Sequence, residues 1–407
     1  MTGTSLARDV AVIGVGQTEF GEHWDRSFRD IFVTAGVRAL EDAGVSGGEI
    51  DALYGGNMSA GQFIDQEHVA ALIADYAGLA EEHVPATRVE AADASGGLAF
   101  RQGVLDVASG ASDVVVASGV EKMTDLGSGE TTDALSGSAD REWEVFNGAN
   151  IASLYAMMAR SHMHEHGTTR SQVSDVAVKN HRNASDNPYA QFRNSISRDD
   201  VESSPYVSEP LRVFDCSPAS DGAAAVVITS AEVAREYADD PVYVAASEQA
   251  SSSLALHDRA EMTTLDSTVE ASRRAYETAG AGPDDVDVAE VHDSYTVAEI
   301  VAVEDLGFVE KGEGGEAVEK GETSVDGDVP VNPSGGLKAC GHPLGATGVR
   351  QVVDVVKQIR GDSPNQVDDA EVGVTQNVGG TGGTAVVNLL VGPENGDVGS
   401  SAGGDRV

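Results

Sequence analysis

The sequence predicts an α/β protein made by internal duplication, and three observations lead there. The first is the stretch Val89–Gln102, VEAADASGGLAFRQ, where a short apolar approach gives way to Asp93-Ala94-Ser95-Gly96-Gly97 and then to an amphipathic run. An Asp followed by small residues and a helical pattern predicts a helix N-cap after a strand, with Asp93 held at the positive end of the helix. The second is a copy of that stretch near the other end, His342-Pro343-Leu344-Gly345 through Arg350-Gln351. There His342 falls on Asp93, Gly345 on Gly96, Arg350 on Arg101 and Gln351 on Gln102. The third is that other segments repeat in the same order. Arg38–Gly44 and its sequel through Asp51 match Arg274–Gly280 and its sequel through Asp287, and Asp113–Ala117 matches Glu371–Thr375. Like-ordered repeats at a growing offset predict two related α/β units, the second carrying insertions, whose helix termini converge on one site.

Taken in order, Ala11–Gly16 reads as a buried first strand ending in glycines. It imitates a dinucleotide fingerprint, but Glu19 stands where the third glycine belongs, so nucleotide binding is not assigned there. Phe28–Gly44 is an amphipathic helix closed by glycine, Ile50–Gly55 leads into the next strand, and Val114–Ala117 closes the first repeat unit. From Lys122 to about Arg212 the repeat has no counterpart, and the composition shifts to Ser, Asn, Met and His. Within that insertion Ile151–His166 reads as a helix whose Met157, Met158 and Met163 serve either packing or the wall of a substrate tunnel. Cys216 through Val227 turns tightly and returns to a buried strand. The second half opens near Val242, with a strand Val286–Val291 ending at His292-Asp293-Ser294-Tyr295 and a helix Val297–Leu306 after it. Gly312–Gly327 reads as a charged loop, Leu344–Ile359 as a helix, and Val372–Thr375 as a strand running into Gln376-Asn377-Val378-Gly379-Gly380. The predicted domains are 1–241, including an inserted loop domain at about 122–212, then 242–393, then a disordered tail at 394–407.

Composition bounds the function. The 407 residues carry 67 acids against 26 bases, a formal charge of −41, and lysine occurs only at 122, 179, 311, 320, 338 and 357. Acids spread through the chain read as a solvated surface adapted to molar salt, where a Debye length of about 3 Å screens self-repulsion. With no basic stripe, nucleic acid is excluded as a partner. Two cysteines, Cys216 and Cys340, make neither a disulfide framework nor a metal site of their own. Nothing at the start reads as a signal peptide and no run approaches the ~20 apolar residues of a membrane span, so the expected location is cytoplasmic.

Asp93, His292, His342 and the turn Asn377–Gly380 all fall at strand or helix ends of the duplicated unit. Imidazoles can take a proton or donate to an oxyanion, and backbone N–H groups at the Asp93 helix start and at Gly379 could do the latter as well.

With these motifs the chain resembles the thiolases, specifically their archaeal and sterol-carrier-protein-type branch, over about residues 8–392. The small-residue elbow, Glu121-Lys122-Met123-Thr124, Ser220 through Ala225, His292-Asp293 and Asn332 through Gly348 carry the resemblance. It implies a thiolase fold, a duplicated five-layered αβαβα with an inserted loop domain, assembled at least as a dimer. It also implies chemistry on acetyl-CoA and 3-oxoacyl-CoA, with the coenzyme A thioester as substrate and no covalent cofactor or metal. His342 would be the activating base, His292 an oxyanion-hole and enolate residue, and Gly379 a backbone donor. Two positions depart from the pattern. The nucleophilic cysteine maps to Asp93, and the acid/base cysteine that follows His-Asp in this branch maps to Ser294; the other branch's second cysteine maps to Asn377. Ser95 is rotated roughly 200° from Asp93 on the helix and points elsewhere. Cys340 reads as a small buried apolar residue, and a carboxylate attacking a thioester would form a labile anhydride. Three readings stand: an acyl-CoA C-acyltransferase with an altered site; a thiolase-fold retro-aldolase or decarboxylase, which in this family works with an OB-fold, zinc-ribbon partner; and a non-catalytic acyl-CoA-binding subunit.

Overall fold

The computed structural model describes residues 8–393, so the predicted tail at 394–407 lies outside the described residues. The first half supplies β1 (Val10–Gln17), α1 (Phe28–Ala43), β2 (Ala52–Gly56), α2 (Val69–Tyr76), β3 (Ala86–Val89), α3 (Ser95–Ser109) and β4 (Val114–Glu121). The insertion follows, with its long helix α4 (Ile151–Glu165), and the chain returns through β5 (Gly222–Ser230). The second half supplies β6 (Val242–Ser251), α5 (Asp266–Ala279), β7 (Val288–Glu290), α6 (Thr296–Asp305), α7 (Leu344–Arg360), β8 (Val372–Gly379) and β9 (Thr384–Val391).

The strands lie in the order β3-β2-β4-β5-β1-β6-β9-β8-β7. The duplication is visible in that order: counted outward from the β1–β6 seam, β5, β4 and β2 on one side answer β9, β8 and β7 on the other. Among the described residues, the Ala11–Tyr243 and Val12–Val242 pairs join the two half-sheets. Beyond β7, Val331 bridges Ala289 where β3 stands in the first half.

Helices cover both faces because each strand alternates two apolar sets. Val114, Val116 and Val120 of β4 pack outward with Ile31, Phe32 and Ala35 of α1. Val115 and Ala117 pack inward with Phe100 and Val104 of α3 and with Val349, Val352 and Val356 of α7. On the far side α5 and α6 cover the second half-sheet through Ala271, Ala275, Ala302 and Val303. The expected helix at Phe28 is fixed at both ends, by a Ser27–Asp30 capping box and by Gly44 in the left-handed region at φ 66°. No helix among the described residues is long and apolar enough to cross a membrane.

Two expectations need correction, and one left open is decided in part. The stretch 312–327 is not all loop, since Gly314–Lys320 forms a short helix. Asp93 is not the N-cap of α3: that place is taken by Ala94, because the Asp93 carboxylate is engaged elsewhere. Of the α4 methionines, left open between packing and a tunnel wall, Met158 is buried among Leu154 and Tyr155 and Met163 packs against Val173, whereas Met157 is 43% exposed. The face of that helix towards the site is made by Ile151 and Tyr155.

Candidate functional site

The site forms where α3 and α7 cross, and the repeated glycines explain why they meet so closely. A Cβ on Gly96 would stand 2.6 Å from the Gly345 carbonyl oxygen, and one on Gly345 would stand 2.7 Å from the Gly56 carbonyl oxygen. Only bare backbone fits, so the two helix starts touch directly. Ahead of α3 the chain makes a tight elbow with Ala92 at φ 53°, a conformation that costs a non-glycine residue about 1–2 kcal/mol. Ser95 secures it, its hydroxyl donating to Ala92 O at 2.5 Å and accepting from Ala91 N at 3.0 Å. Ser95 is thus spent on the turn, as its helical phase predicts.

The other motifs are braces for this crossing. Asp221 accepts from the backbone N–H of Met123 (2.7 Å) and Thr124 (2.9 Å) and from Lys122 Nζ (3.1 Å), tying Glu121–Thr124 to the start of β5. Ser220 Oγ accepts the backbone N–H of His342 at 3.0 Å. Asp293, beside His292, accepts Leu337 N at 2.6 Å and Lys338 N at 3.2 Å. A Cβ on Gly336 would stand 2.3 Å from that Asp293 carboxylate, and one on Gly335, at φ 104°, would stand 2.5 Å from Ala184 Cβ, which accounts for the glycine pair.

At the crossing, Asp93 Oδ1 lies 3.1 Å from His342 Nε2, and Asp93 Oδ2 accepts the backbone N–H of Gly380 at 2.8 Å. His342 Nδ1 meets Thr347 Oγ1 at 2.7 Å, and that hydroxyl donates to Pro343 O at 3.0 Å. Thr347 therefore accepts from Nδ1–H, and a proton must sit between Nε2 and Asp93, since two acceptors would otherwise face each other. Burial pushes the Asp93 carboxyl up, but the hydrogen bond and charge of His342 and the Gly380 N–H outweigh it and hold it below the usual carboxylate range. Asp93 is therefore the carboxylate side of the pair.

Asn377 completes the arrangement. Its Oδ1 accepts Gly97 N at 3.0 Å, and its Nδ2 donates to Asp93 O at 3.1 Å and towards His292 Nδ1 at 3.2 Å. Those first two bonds fix the amide, so His292 Nδ1 is an acceptor and Nε2 carries the proton. Burial, reinforced by the nearby His342 charge, lowers the His292 pKa to about 3, and its ring meets that of His342 edge to face at 5.1 Å. Its Nε2 is buried and meets no partner among the described residues. Asp93, His292 and His342 offer ligating atoms within 4.8 Å of one another, a spacing that could hold a metal. Their hydrogen bonding does not fit one: His292 Nδ1 is taken by Asn377, Nε2 is protonated, and the other two groups are bonded to each other. The set suits acid–base work.

A cavity of about 60 Å³ opens on Asp93 and His342, bordered by Tyr155, Ser294, Tyr295 and Gly380. Tyr155 and Tyr295 stack at 4.5 Å, and the Tyr155 hydroxyl donates to Gly380 O at 2.9 Å. The structure brings the expected Asp93, His292 and His342 within 4.8 Å of one another and sets Ser294 at the border of the same cavity. Gly379, the expected backbone donor, ends β8 in register with Thr384, and the amide that reaches Asp93 is that of Gly380. Tyr155 was missed: it comes from the insertion, where no repeat marks it. Cys340 is buried, with its thiol pushed up to about 12 by burial, and does not border the cavity.

A duplicated α/β sheet with its reactive groups at the crossing of two central helices is a thiolase-type architecture. The chain belongs to the thiolase family: residues 10–232 match the thiolase N-terminal domain and 248–391 the thiolase C-terminal domain-like family. It is 59% identical over 384 residues to an acetyl-CoA acetyltransferase of Methanothermobacter thermautotrophicus, covering 94% of this chain and 99% of that one. It is 52% identical over 393 residues to an acetyl-CoA acetyltransferase of Methanocaldococcus jannaschii, covering 94% and 99%. Among solved structures, the Ltp2-ChsH2(DUF35) aldolase superposes with a TM-score of 0.81 at 26% identity, over 95% of this chain and 98% of that one.

Proposed function

We propose that this acyl-CoA C-acyltransferase-like chain binds an acyl-CoA thioester, acetyl-CoA or a 3-oxoacyl-CoA. We propose further that it works on the carbon beside the thioester carbonyl by acid–base chemistry, with no acyl-enzyme. The observation that carries this reading is the double engagement of Asp93, one oxygen on His342 Nε2 and the other on Gly380 N–H. In the thiolase pattern the position of Asp93 belongs to the acylated cysteine. Here a carboxylate stands at that position and takes up a backbone N–H that an acyl oxygen would need, and its own attack would yield only an anhydride. The remaining parts suffice for an enolate. Asp93, as the carboxylate of the pair, removes a proton from the α-carbon or from a β-hydroxyl and then delivers it to the α-carbon of the enolate; the unpartnered Nε2–H of His292, buried beside His342 behind the cavity lining, is the donor assigned to the thioester oxygen. Ser294 and Tyr295 border the space and position the acyl group.

The relatives named for acetyl transfer support acetyl-CoA as the ligand, and the aldolase neighbour supports carbon–carbon cleavage by the same half-reaction. In that version Asp93 takes the β-hydroxyl proton, the bond to the α-carbon breaks, and a carbonyl product leaves beside the acyl-CoA enolate. That neighbour's pairing with a DUF35 protein supports a partner subunit here, for which we propose the OB-fold, zinc-ribbon type that the resemblance implies. We further propose that the chain functions as a homodimer or larger assembly in a salt-rich cytoplasm, serving lipid metabolism, with 1–241 and 242–393 as its two halves.

The test is the intact mass of the protein after incubation with acetyl-CoA or acetoacetyl-CoA, alongside deuterium exchange into the α-carbon of acetyl-CoA in D₂O. The expected result is exchange without a mass increase. A stable acyl adduct at Asp93 overturns the non-covalent mechanism, and bound acyl-CoA with neither adduct nor exchange makes the chain a binding subunit.

A further inference from the structure

Away from the reaction site, an apolar cavity of about 310 Å³ lies between α1 and α2, over the outer face of β2 and β4. Phe32, Leu40, Leu53, Ile73 and Val116 wall it, and no charged side chain lines it. Its volume is at the lower end of the range for small-molecule sites. At its floor is Ser118 of β4, 8% exposed, whose hydroxyl meets no hydrogen-bond partner among the described residues. The neighbouring positions on the same outer face of the strand are Val116 and Val120, so an apolar residue would fit the pattern at 118. A hydroxyl buried without a partner is a net cost that folded proteins seldom keep.

Two glycines hold the space open. Gly36 lies inside α1, where glycine weakens a helix relative to alanine, and a Cβ there would meet nothing within 4 Å. Gly55 lies beside Ser118 on β2, and a Cβ there would stand 3.1 Å from Ile73 Cδ1 and 4.0 Å from Ser118 Oγ. Neither sits at positive φ, so neither is required by the backbone. Both leave room above the hydroxyl.

We propose that this cavity is a binding site for a neutral amphiphile, a hydrocarbon body with a single hydrogen-bonding oxygen that meets Ser118 Oγ. A medium-chain alcohol is the simplest member of that class. A carboxylate head would find no cation in the lining, and a pure hydrocarbon would leave Ser118 unpaired. Val37 and Tyr76, 46% and 51% exposed, stand at the rim where such a molecule would enter.

The experiment titrates the full chain with 1-octanol by calorimetry at fixed KCl, with n-octane and octanoate as comparison ligands. Saturable one-to-one binding of octanol is expected, with octanoate weaker. Ser118→Val, which keeps the volume and removes the hydroxyl, should weaken octanol about 5–10-fold and leave octane unchanged. Gly36→Leu, which fills the space, should abolish binding of both; Ser118→Val carries the test should that variant fail to fold. Absence of saturable binding overturns the proposal, as does equal octanol affinity in wild type and Ser118→Val. Octanol that binds only by dissociating an oligomer in sedimentation runs would make a second copy of the chain the occupant and overturn it too.

Discussion

Replacing Asp93 with cysteine separates the two things the carboxylate does. It removes the anion that pairs with His342 Nε2, and it releases the Gly380 N–H now held at 2.8 Å. The released amide can then serve a tetrahedral oxyanion; a single such donor contributes a factor of about 10²–10³ to acyl transfer. His342, still oriented by Thr347, can draw off the thiol proton, a general-base contribution of about 10²–10⁴. Asp93→Cys is therefore expected to take up an acetyl group from acetyl-CoA, while the wild type forms no stable adduct. His342→Ala in the Asp93→Cys background should slow that uptake by about 10²–10⁴. A time course of intact mass reads all three proteins, with peptide mapping to place the adduct. Thiolysis of acetoacetyl-CoA by the wild type that survives thiol alkylation and vanishes in Asp93→Ala would refute the reasoning, as would a double variant acylated as fast as the single one.

Other outcomes follow from the same geometry. His292 is buried with its folded pKa near 3, below its unfolded value of about 6.5, so the unfolded chain binds the extra proton between those limits. Its contribution to stability is present above that window and is lost as pH falls through it, at up to about 1.4 kcal/mol per pH unit; denaturant titrations should show a shallower pH slope for His292→Asn, and equal slopes would contradict the assignment. Asn377→Ala orphans the buried Gly97 N–H and releases His292 Nδ1, so a loss of about 1–3 kcal/mol in urea unfolding is expected, and an unchanged midpoint would show the amide is not a brace. If the surface charge of −41 is a salt adaptation, the melting temperature should rise from 0.1 M towards 2 M KCl, as the screening length falls from about 10 Å to below about 3 Å. A flat response would remove that reading.

What could be read from the chain follows the duplication. Asp93 and His342 were paired because Gly96 answers Gly345, and the structure shows those glycines in backbone contact. His292 was legible as the end of a strand beside the acidic residue that anchors the Gly335-Gly336 turn. Other features depend on contacts that no repeat encodes. Gly379 and Gly380 look equivalent in a run of glycines, yet only one lies past the end of the β8–β9 ladder with its amide free to turn towards Asp93. An Asp before a helix reads as a cap until the positions of His342 and Gly380 are known, because capping is a local rule and its competitors here are about 250–290 residues away. Tyr155 sits in the one long stretch without an internal counterpart, so nothing in the sequence set it apart from the packing residues around it.

The contact of Gly96 with Gly345 makes the reactive spacing a property of main chain alone. Because no side chain separates the two helix starts, the distance from acid to imidazole is set by the thickness of two peptide backbones and not by how the interior is filled. Exchanges among Phe100, Val104, Val349 and Val352 can therefore alter how firmly the halves hold together while leaving that spacing unchanged. The residue at position 93 can likewise be exchanged without moving the two helix starts apart, provided Gly96 and Gly345 acquire no side chain.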